Sequence, residues 1–284
     1  MSDTINGIPT RVLGATGERV TIIGVGGHHI GRGTMEEGVR IIRAAIDEGI
    51  NFLDNAWCYH DGGSEEIMGQ ALKDGYRQKV FLMTKNHGRD AVTYRQQLED
   101  SLRRLGTDTI DLVQFHELSH EADPLRIYNE GALEAAQQAR EAGKIRYIGF
   151  TGHRWPHLFQ QMLDGDAQWD TVQMPINLLD AHFRSFGKQI LPQLVERGIG
   201  VIGMKSLAGG RMIQTDVPVH KAIAWSLSQP ISTLVTGIDS LEVLEQNLKI
   251  ARTFQPMSAD EQEELLYMAQ EPAADGHLER YKVA

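Results

Sequence analysis

Short apolar runs alternate with longer amphipathic ones along nearly the whole chain. The opening stretch RVLGATGERVTIIGVGG predicts a hairpin around Ala15, Thr16 and Gly17 that leads into an apolar strand over 21–25. From 34 to 49, Val39, Ile42, Ala45 and Ile46 recur at helical spacing. INFLDNA then reads as a short buried strand. Ser64 follows as the N-cap of a helix through GSEEIMGQALKDG, with acidic residues in its first turn.

The rhythm continues. Strands are predicted over 79–84, 110–115, 145–150, 171–174, 200–204 and 233–236. Helices are predicted over 91–105, 130–142, 156–163, 186–197, 218–227 and 241–251, with one more over 258–269 before a polar tail. Strands that alternate with helices imply a parallel sheet, because each parallel pair needs a crossover. Eight units of about 30 residues predict a closed (β/α)8 TIM barrel, an α/β fold, rather than an open doubly wound sheet. The N-terminal β-hairpin and the C-terminal extra helix lie outside those units. No Pro/Gly/Ser-rich stretch divides the sequence, so residues 1–284 are expected to form one domain.

Composition narrows the function. The chain carries 28 Lys+Arg against 38 Asp+Glu, a net charge of −10, which speaks against nucleic acid as a partner because phosphate binding needs clustered positive charge. Cys58 is the only cysteine, so no intramolecular disulfide can form, which suits a reducing cytosol. The N-terminus lacks a signal-peptide core, and no apolar run approaches the roughly 18 residues that span a bilayer. A soluble cytoplasmic protein with no membrane partner is expected.

Barrel active sites sit at the C-terminal ends of the strands. Asp54 ends the second strand, Lys85 the third and His116 the fourth, with Tyr59 five residues after Asp54. Each has a plain reading alone: a turn residue, a solvated charge, a structural imidazole, a packed ring. Together they make chemical sense. A phenol titrates near pH 10, a neighbouring ammonium favours its phenolate, and a carboxylate holds that ammonium in place. His116 can hydrogen-bond a substrate oxygen, and the set fits protonation of an alkoxide as hydride arrives.

With these residues in hand, the sequence resembles the aldo-keto reductase family. NFLDNAWCYHDGGSEEIMGQAL is similar to that family's second-strand signature, and the likeness runs from RVLGATGERVTIIGVGG through the eighth helix. The resemblance implies a catalytic tetrad of Asp54, Tyr59, Lys85 and His116, with Tyr59 the proton donor. It implies an NAD(P)-dependent oxidoreductase that reduces a small aldehyde, ketone or sugar carbonyl.

The cofactor positions implied by the resemblance are Thr151 and Gln173 at the nicotinamide amide, although Gly152 replaces the family's Asn. Met204 stands where many members stack a Tyr on the ring. Lys205, Ser206, Leu207 and Gly209 fall in the pyrophosphate loop, and Gly237, Asp239 and Asn247 in the last phosphate loop. Gly237 and Val243 occupy positions where basic residues commonly grip the 2′-phosphate of NADPH. A carboxylate such as Asp239 favours a free ribose hydroxyl, so NADH is expected to be accepted. The segments YHDGGSEE and FTGH are similar to a bacterial branch whose longer members add an iron-sulfur domain; with Cys58 alone, no cluster is expected.

His28, Trp57, His87 and Trp155 are candidate walls of the substrate pocket. Two rival functions remain at this point. His28, His29, His60, His87, His116 and His153 all follow strands, as ligands of a metal-dependent barrel hydrolase would, though no His-x-His pair is present, Lys85 opposes a cation, and no metal is expected. A catalytically silent nicotinamide sensor would keep the fold without needing all four tetrad groups. The glycines at 24–27 do not meet the G-x-G-x-x-G spacing of a Rossmann loop. Monomer and small homo-oligomer both fit the sequence.

Overall fold

The computed structural model describes residues 3–283. Three short antiparallel strands come first: β1 (Thr4–Ile5), β2 (Ile8–Val12) and β3 (Arg19–Thr21). The expected hairpin is β2–β3, with Thr10 opposite Thr21. The strand expected over 21–25 is cut at Ile22. Thr21 closes the hairpin because its amide donates to Asn51 Oδ1 at 2.8 Å, and the barrel begins only at Ile23. The hairpin closes the floor of the barrel: Leu13 and Val20 pack against Phe52, Phe81, Met83, Leu112 and Ile202 inside it. Each such fully buried side chain contributes about 1.5–3 kcal/mol.

The eight barrel strands are β4 (Ile23–Gly26), β5 (Phe52–Asp54), β6 (Phe81–Asn86), β7 (Ile110–Phe115), β8 (Ile145–Thr151), β9 (Thr171–Pro175), β10 (Gly200–Met204) and β11 (Thr233–Gly237). All neighbours are parallel, and β11 pairs with β4 to close the ring. This is the (β/α)8 barrel that the alternation predicts. β6 starts two residues later than expected, because Arg77–Lys79 form a 3-10 turn, and it runs on to Asn86.

The helices are α1 (Gly27–Ile30), α2 (Met35–Asp47), α3 (Gly63–Ala71), α4 (Ala91–Leu105), α5 (Asp123–Asn129), α6 (Ala132–Glu141), α7 (Pro156–Asp164), α8 (Phe186–Gln189), α9 (Leu191–Glu196), α10 (Val219–Ser228), α11 (Leu241–Arg252), α12 (Ala259–Ala273) and α13 (Arg280–Val283). α2 shows why they form. Thr34 and Glu37 make a reciprocal capping box, and Ile41, Ile42, Ala45 and Ile46 turn one apolar stripe to the sheet.

Three expectations fail for identifiable reasons. Ser64 is not a cap: Gly62 holds that position, and buried Ser64 instead donates from Oγ to the Gly27 carbonyl at 2.7 Å. The helix expected over 186–197 is broken into α8 and α9, since Pro192 in the first turn of α9 has no N–H to continue the first helix. The helix expected over 130–142 starts at Ala132, after α5 has filled part of the preceding loop. After α12, α13 brings the chain end back to the β9 side of the barrel mouth. Among the described residues no helix is long and apolar enough to cross a membrane.

Candidate active site

Three strand ends and one loop converge at the C-terminal mouth. Asp54 is the last residue of β5, Lys85 the last but one of β6, and His116 follows β7 directly. Lys85 is 1% exposed and pairs with the Asp54 carboxylate. Its Nζ also donates to the Asn55 carbonyl at 2.8 Å. Asn55 is fixed in turn by donating from Nδ2 to the Ser64 carbonyl at 3.0 Å. A buried ammonium is costly unless so partnered, and here the partners are the last residue of the neighbouring strand and the residue after it.

Tyr59 lies in the loop after β5, at the start of a 3-10 turn over Tyr59–Gly62. Its ring centroid lies 5.1 Å from Lys85 Nζ and 5.6 Å from the His116 ring. Burial, and secondarily the Asp54 charge, push its phenol well above the usual range. That is opposite to the lowering expected from Lys85, whose charge is already answered by Asp54. The phenol is therefore held protonated at neutral pH. Burial, with the Lys85 charge second, drives His116 well below the usual imidazole range, so it stands neutral.

Beneath this group lies support that the sequence did not single out. Glu65 is fully buried, accepts from Thr84 Oγ1 at 2.6 Å and meets Arg104 Nη1 at 3.3 Å. Arg89 and Asp123, both buried, pair at 3.0 Å, and Arg89 Nη2 donates to the His116 carbonyl at 2.7 Å. Such residues have no motif, since their partners lie about 20 to 40 positions away.

Of the expected pocket walls, His28 packs edge-on to Tyr59 at 5.2 Å, and His87 lies 4.4 Å from the His116 ring. Trp57 turns outward instead: its indole N–H donates to Asp100 at 3.4 Å and its ring meets Arg104, both on α4. Trp155 is the residue before α7 and stacks on His157 at 5.8 Å.

Across the mouth, Thr151 ends β8 and Gln173 lies within β9, both buried. Gln173 Nε2 donates to Asp54 Oδ2 at 3.1 Å, tying the two sides together. Its Oε1 is buried without a hydrogen-bond partner. Met204 ends β10, half-buried, and Lys205 follows with φ +58° and Nζ 4.9 Å over the Tyr281 ring. Ser206 is buried, Leu207 half-buried, and Gly209 exposed at φ +67°, a conformation that favours glycine. Gly237 ends β11 against His29, and a side chain there would strike that imidazole. Asn247 on α11 is buried and donates to Thr236 Oγ1 at 3.4 Å. Asp239, His29, Arg32 and Arg40 line one cleft of ≈ 310 Å³, so the carboxylate there has arginine neighbours that the sequence reading missed.

The Aldo/keto reductase family model matches residues 22–218. The chain belongs to the aldo/keto reductase family. Aldo-keto reductase YhdN of Bacillus subtilis is 36% identical over 215 residues, covering 69% of this chain and 61% of the relative. The match thus spans less than two thirds of that relative's length. The holo form of an aldo-keto reductase from Bacillus halodurans superposes with a TM-score of 0.79 at 25% identity, covering 94% of this chain and 99% of that one. An aldo/keto reductase from Klebsiella pneumoniae, solved in complex with NADP and acetate, gives 0.77 at 25% identity over 92% and 95% of the two chains.

Proposed function

We propose that this aldo/keto reductase family member is an NAD(P)H-dependent oxidoreductase that reduces a small aldehyde, ketone or sugar carbonyl to the alcohol. The observation that carries this reading is the convergence of half-buried Tyr59, the buried Lys85–Asp54 pair and neutral His116 at one mouth. Tyr59 holds the proton that the product oxygen needs. His116, uncharged, donates a hydrogen bond that orients the carbonyl without competing as a cation. Lys85 lies close enough to stabilise charge developing on the phenolic oxygen, and Asp54 is a positioning residue that holds it there. Burial of Asp54, Lys85 and His116 keeps water from them and strengthens these interactions.

Thr151, Gln173, Met204, Lys205, Ser206, Leu207, Gly209, Gly237, Asp239 and Asn247 are the residues that would hold the nicotinamide cofactor. The unpartnered Gln173 Oε1 suits a carboxamide N–H, because a buried acceptor left alone costs about 1–3 kcal/mol. The cofactor, when bound, supplies the hydride. Asp239 supports acceptance of NADH, while Arg32 and Arg40 in the same cleft leave a 2′-phosphate a partner, so both cofactors are expected to bind. An NADH dissociation constant more than about a hundredfold above that of NADPH would overturn acceptance of NADH.

The reading is tested by following oxidation of NADH and NADPH against a panel of aldehydes, ketones and sugars, with Tyr59→Phe beside the wild type. Loss of about a hundredfold or more in Tyr59→Phe is expected for removal of a general acid. Binding of cofactor with no turnover in either protein would favour a nicotinamide sensor instead.

A further inference from the structure

Cys58, His87 and His116 form a cluster that the proposed reduction does not need as a cluster. Cys58 Sγ lies 3.1 Å from His87 Nε2 and 3.6 Å from His116 Nδ1. The three potential ligand atoms fall within 4.8 Å of one another. A tetrahedral Zn²⁺ with Zn–S of about 2.3 Å and Zn–N of about 2.0 Å separates S from N by roughly 3.5 Å, so small side-chain shifts bring the donors onto one ion. Cys58 and His87 are half-buried and His116 is buried, so the cluster opens toward the mouth rather than into the core.

We propose that Cys58, His87 and His116 bind a thiophilic divalent metal of the Zn²⁺ class, and that this metal shuts the active site. One thiolate and two imidazoles select such ions over Mg²⁺ or Ca²⁺, which take oxygen donors. The chemistry balances without redox change. The Cys58 thiol gives its proton to solvent as the S–metal bond forms, the two imidazoles donate lone pairs, and the ion sheds bound waters. Three protein ligands leave a fourth position for water. Two cations at hand would oppose the metal: Lys85, whose charge is answered by Asp54 and the Asn55 carbonyl, and Arg89, which bonds the His116 carbonyl and is paired with buried Asp123 at 3.0 Å. Glu117, directly after His116 and set in the left-handed region at φ +54°, adds a carboxylate beside the cluster. His116 coordinated through Nδ1 keeps its Nε2–H, so the block comes from the ion itself: its charge and the water at its fourth position stand at the mouth beside Tyr59, whose ring lies 5.6 Å from that of His116, where the carbonyl would enter. That second half rests on the reductase reading; metal binding itself does not.

The test begins with Co²⁺ titrated anaerobically into the full chain. A thiolate-to-Co²⁺ charge-transfer band is expected at one ion per chain, displaced by Zn²⁺ and untouched by Mg²⁺. Cys58→Ser should abolish the band, and His87→Gln should raise the Co²⁺ dissociation constant by about tenfold or more, as loss of a ligand requires. Thermal melts of both variants confirm that each is folded. Carbonyl reduction by the wild type should fall as Zn²⁺ fills the site, with about tenfold more Zn²⁺ needed in Cys58→Ser. No charge-transfer band at saturating Co²⁺, or the same band in Cys58→Ser, overturns the site. Zn²⁺ bound through Cys58 without loss of turnover overturns the shut-off. A band with no turnover toward any carbonyl leaves the metal site standing and removes the reductase reading.

Discussion

Two lysines are buried at the mouth of this barrel, Lys85 at 1% exposure and Lys282 at 0%. Both meet the same electrostatic demand, since an ammonium taken out of water costs several kcal/mol unless paired. Lys85 takes Asp54 and the Asn55 carbonyl, at the end of the strand beside its own. Lys282, in α13, takes Asp180 at 2.7 Å, Glu279 at 2.8 Å and the Phe183 carbonyl at 2.8 Å. Arg184 adds a bond to the Lys282 carbonyl at 2.6 Å, so the chain end is stapled to the loop after β9 from both directions. The difference lies in what each ammonium faces beyond its partners. Lys85 faces the ring of Tyr59 and an open mouth; Lys282 is enclosed by the tail it anchors. Burial beside a carboxylate therefore does not mark a reacting group unless a reactive neighbour shares the space.

Removing each charge in turn separates the two lysines. Lys85→Met should lower turnover by about 10²–10⁴-fold, the range for loss of proton-transfer assistance. Far-UV circular dichroism should stay native, because the one stranded carboxylate, Asp54, keeps its bond from Gln173, although some stability is lost here too. Lys282→Met should instead cost about 3–5 kcal/mol of stability, because it strands two buried carboxylates, with turnover at saturating substrate kept within about tenfold. Denaturant melts and steady-state rates on the two variants separate the cases. A dead but fully stable Lys282→Met would place that lysine in the chemistry and end the distinction.

The same contrast explains what the sequence could convey. Lys85 was legible because a lysine directly after VFLMT has nowhere to go but the rim, and His116 after LVQF likewise. All eight barrel strands followed from period and length. Lys282 was illegible: it sits in a polar tail, and its partners Asp180 and Glu279 lie 102 and three positions away, in loops without periodicity. Ser64 misled for a related reason. Its spacing from the acidic turn fits a cap, but a tertiary partner, the Gly27 carbonyl, takes its hydroxyl. Cys58 was counted for its disulfide arithmetic, while its contacts with His87 and His116 depend on two later strands.

A weaker effect appears in acid, among the histidines of the mouth. His28 is drawn down to about 4, chiefly by burial and then by His29 and Arg32, with His60 and Lys205 adding to it. His29 and His153 are lowered too, again by burial first, against the opposing pull of Asp239 and Glu117 respectively. A histidine whose folded pKa lies below its unfolded one takes up a proton on unfolding. Its neutral form costs nothing above the unfolded value of about 6.5, and stability is lost as pH falls from there toward 4. Melting temperature should therefore decline across that window, and His28→Gln should flatten the decline. A slope identical in His28→Gln would remove His28 from the account.

The smallest effect lies within the Lys282 cluster, where its two carboxylates are not equivalent. Asp180 accepts from Lys282, from Ser185 Oγ at 2.9 Å and from the amides of Phe186 at 3.0 Å and Gly187 at 2.9 Å, so its charge is answered on every side. Glu279 is raised above the usual carboxylate range by burial, despite Lys282. A raised folded pKa means that ionisation opposes folding, so this contribution is lost as pH climbs through the folded value. Glu279→Gln removes that ionisation and keeps an acceptor for Asn177 and Tyr281, which lie at 3.2 and 2.6 Å from Oε1. It should shift stability at neutral pH by no more than about 1 kcal/mol. Asp180→Asn, which turns an amide donor toward Lys282 or the backbone amides, should cost about 3 kcal/mol or more. Urea melts of the two variants at pH 7 decide the order, and equal losses would mean that Lys282 is held by both carboxylates alike.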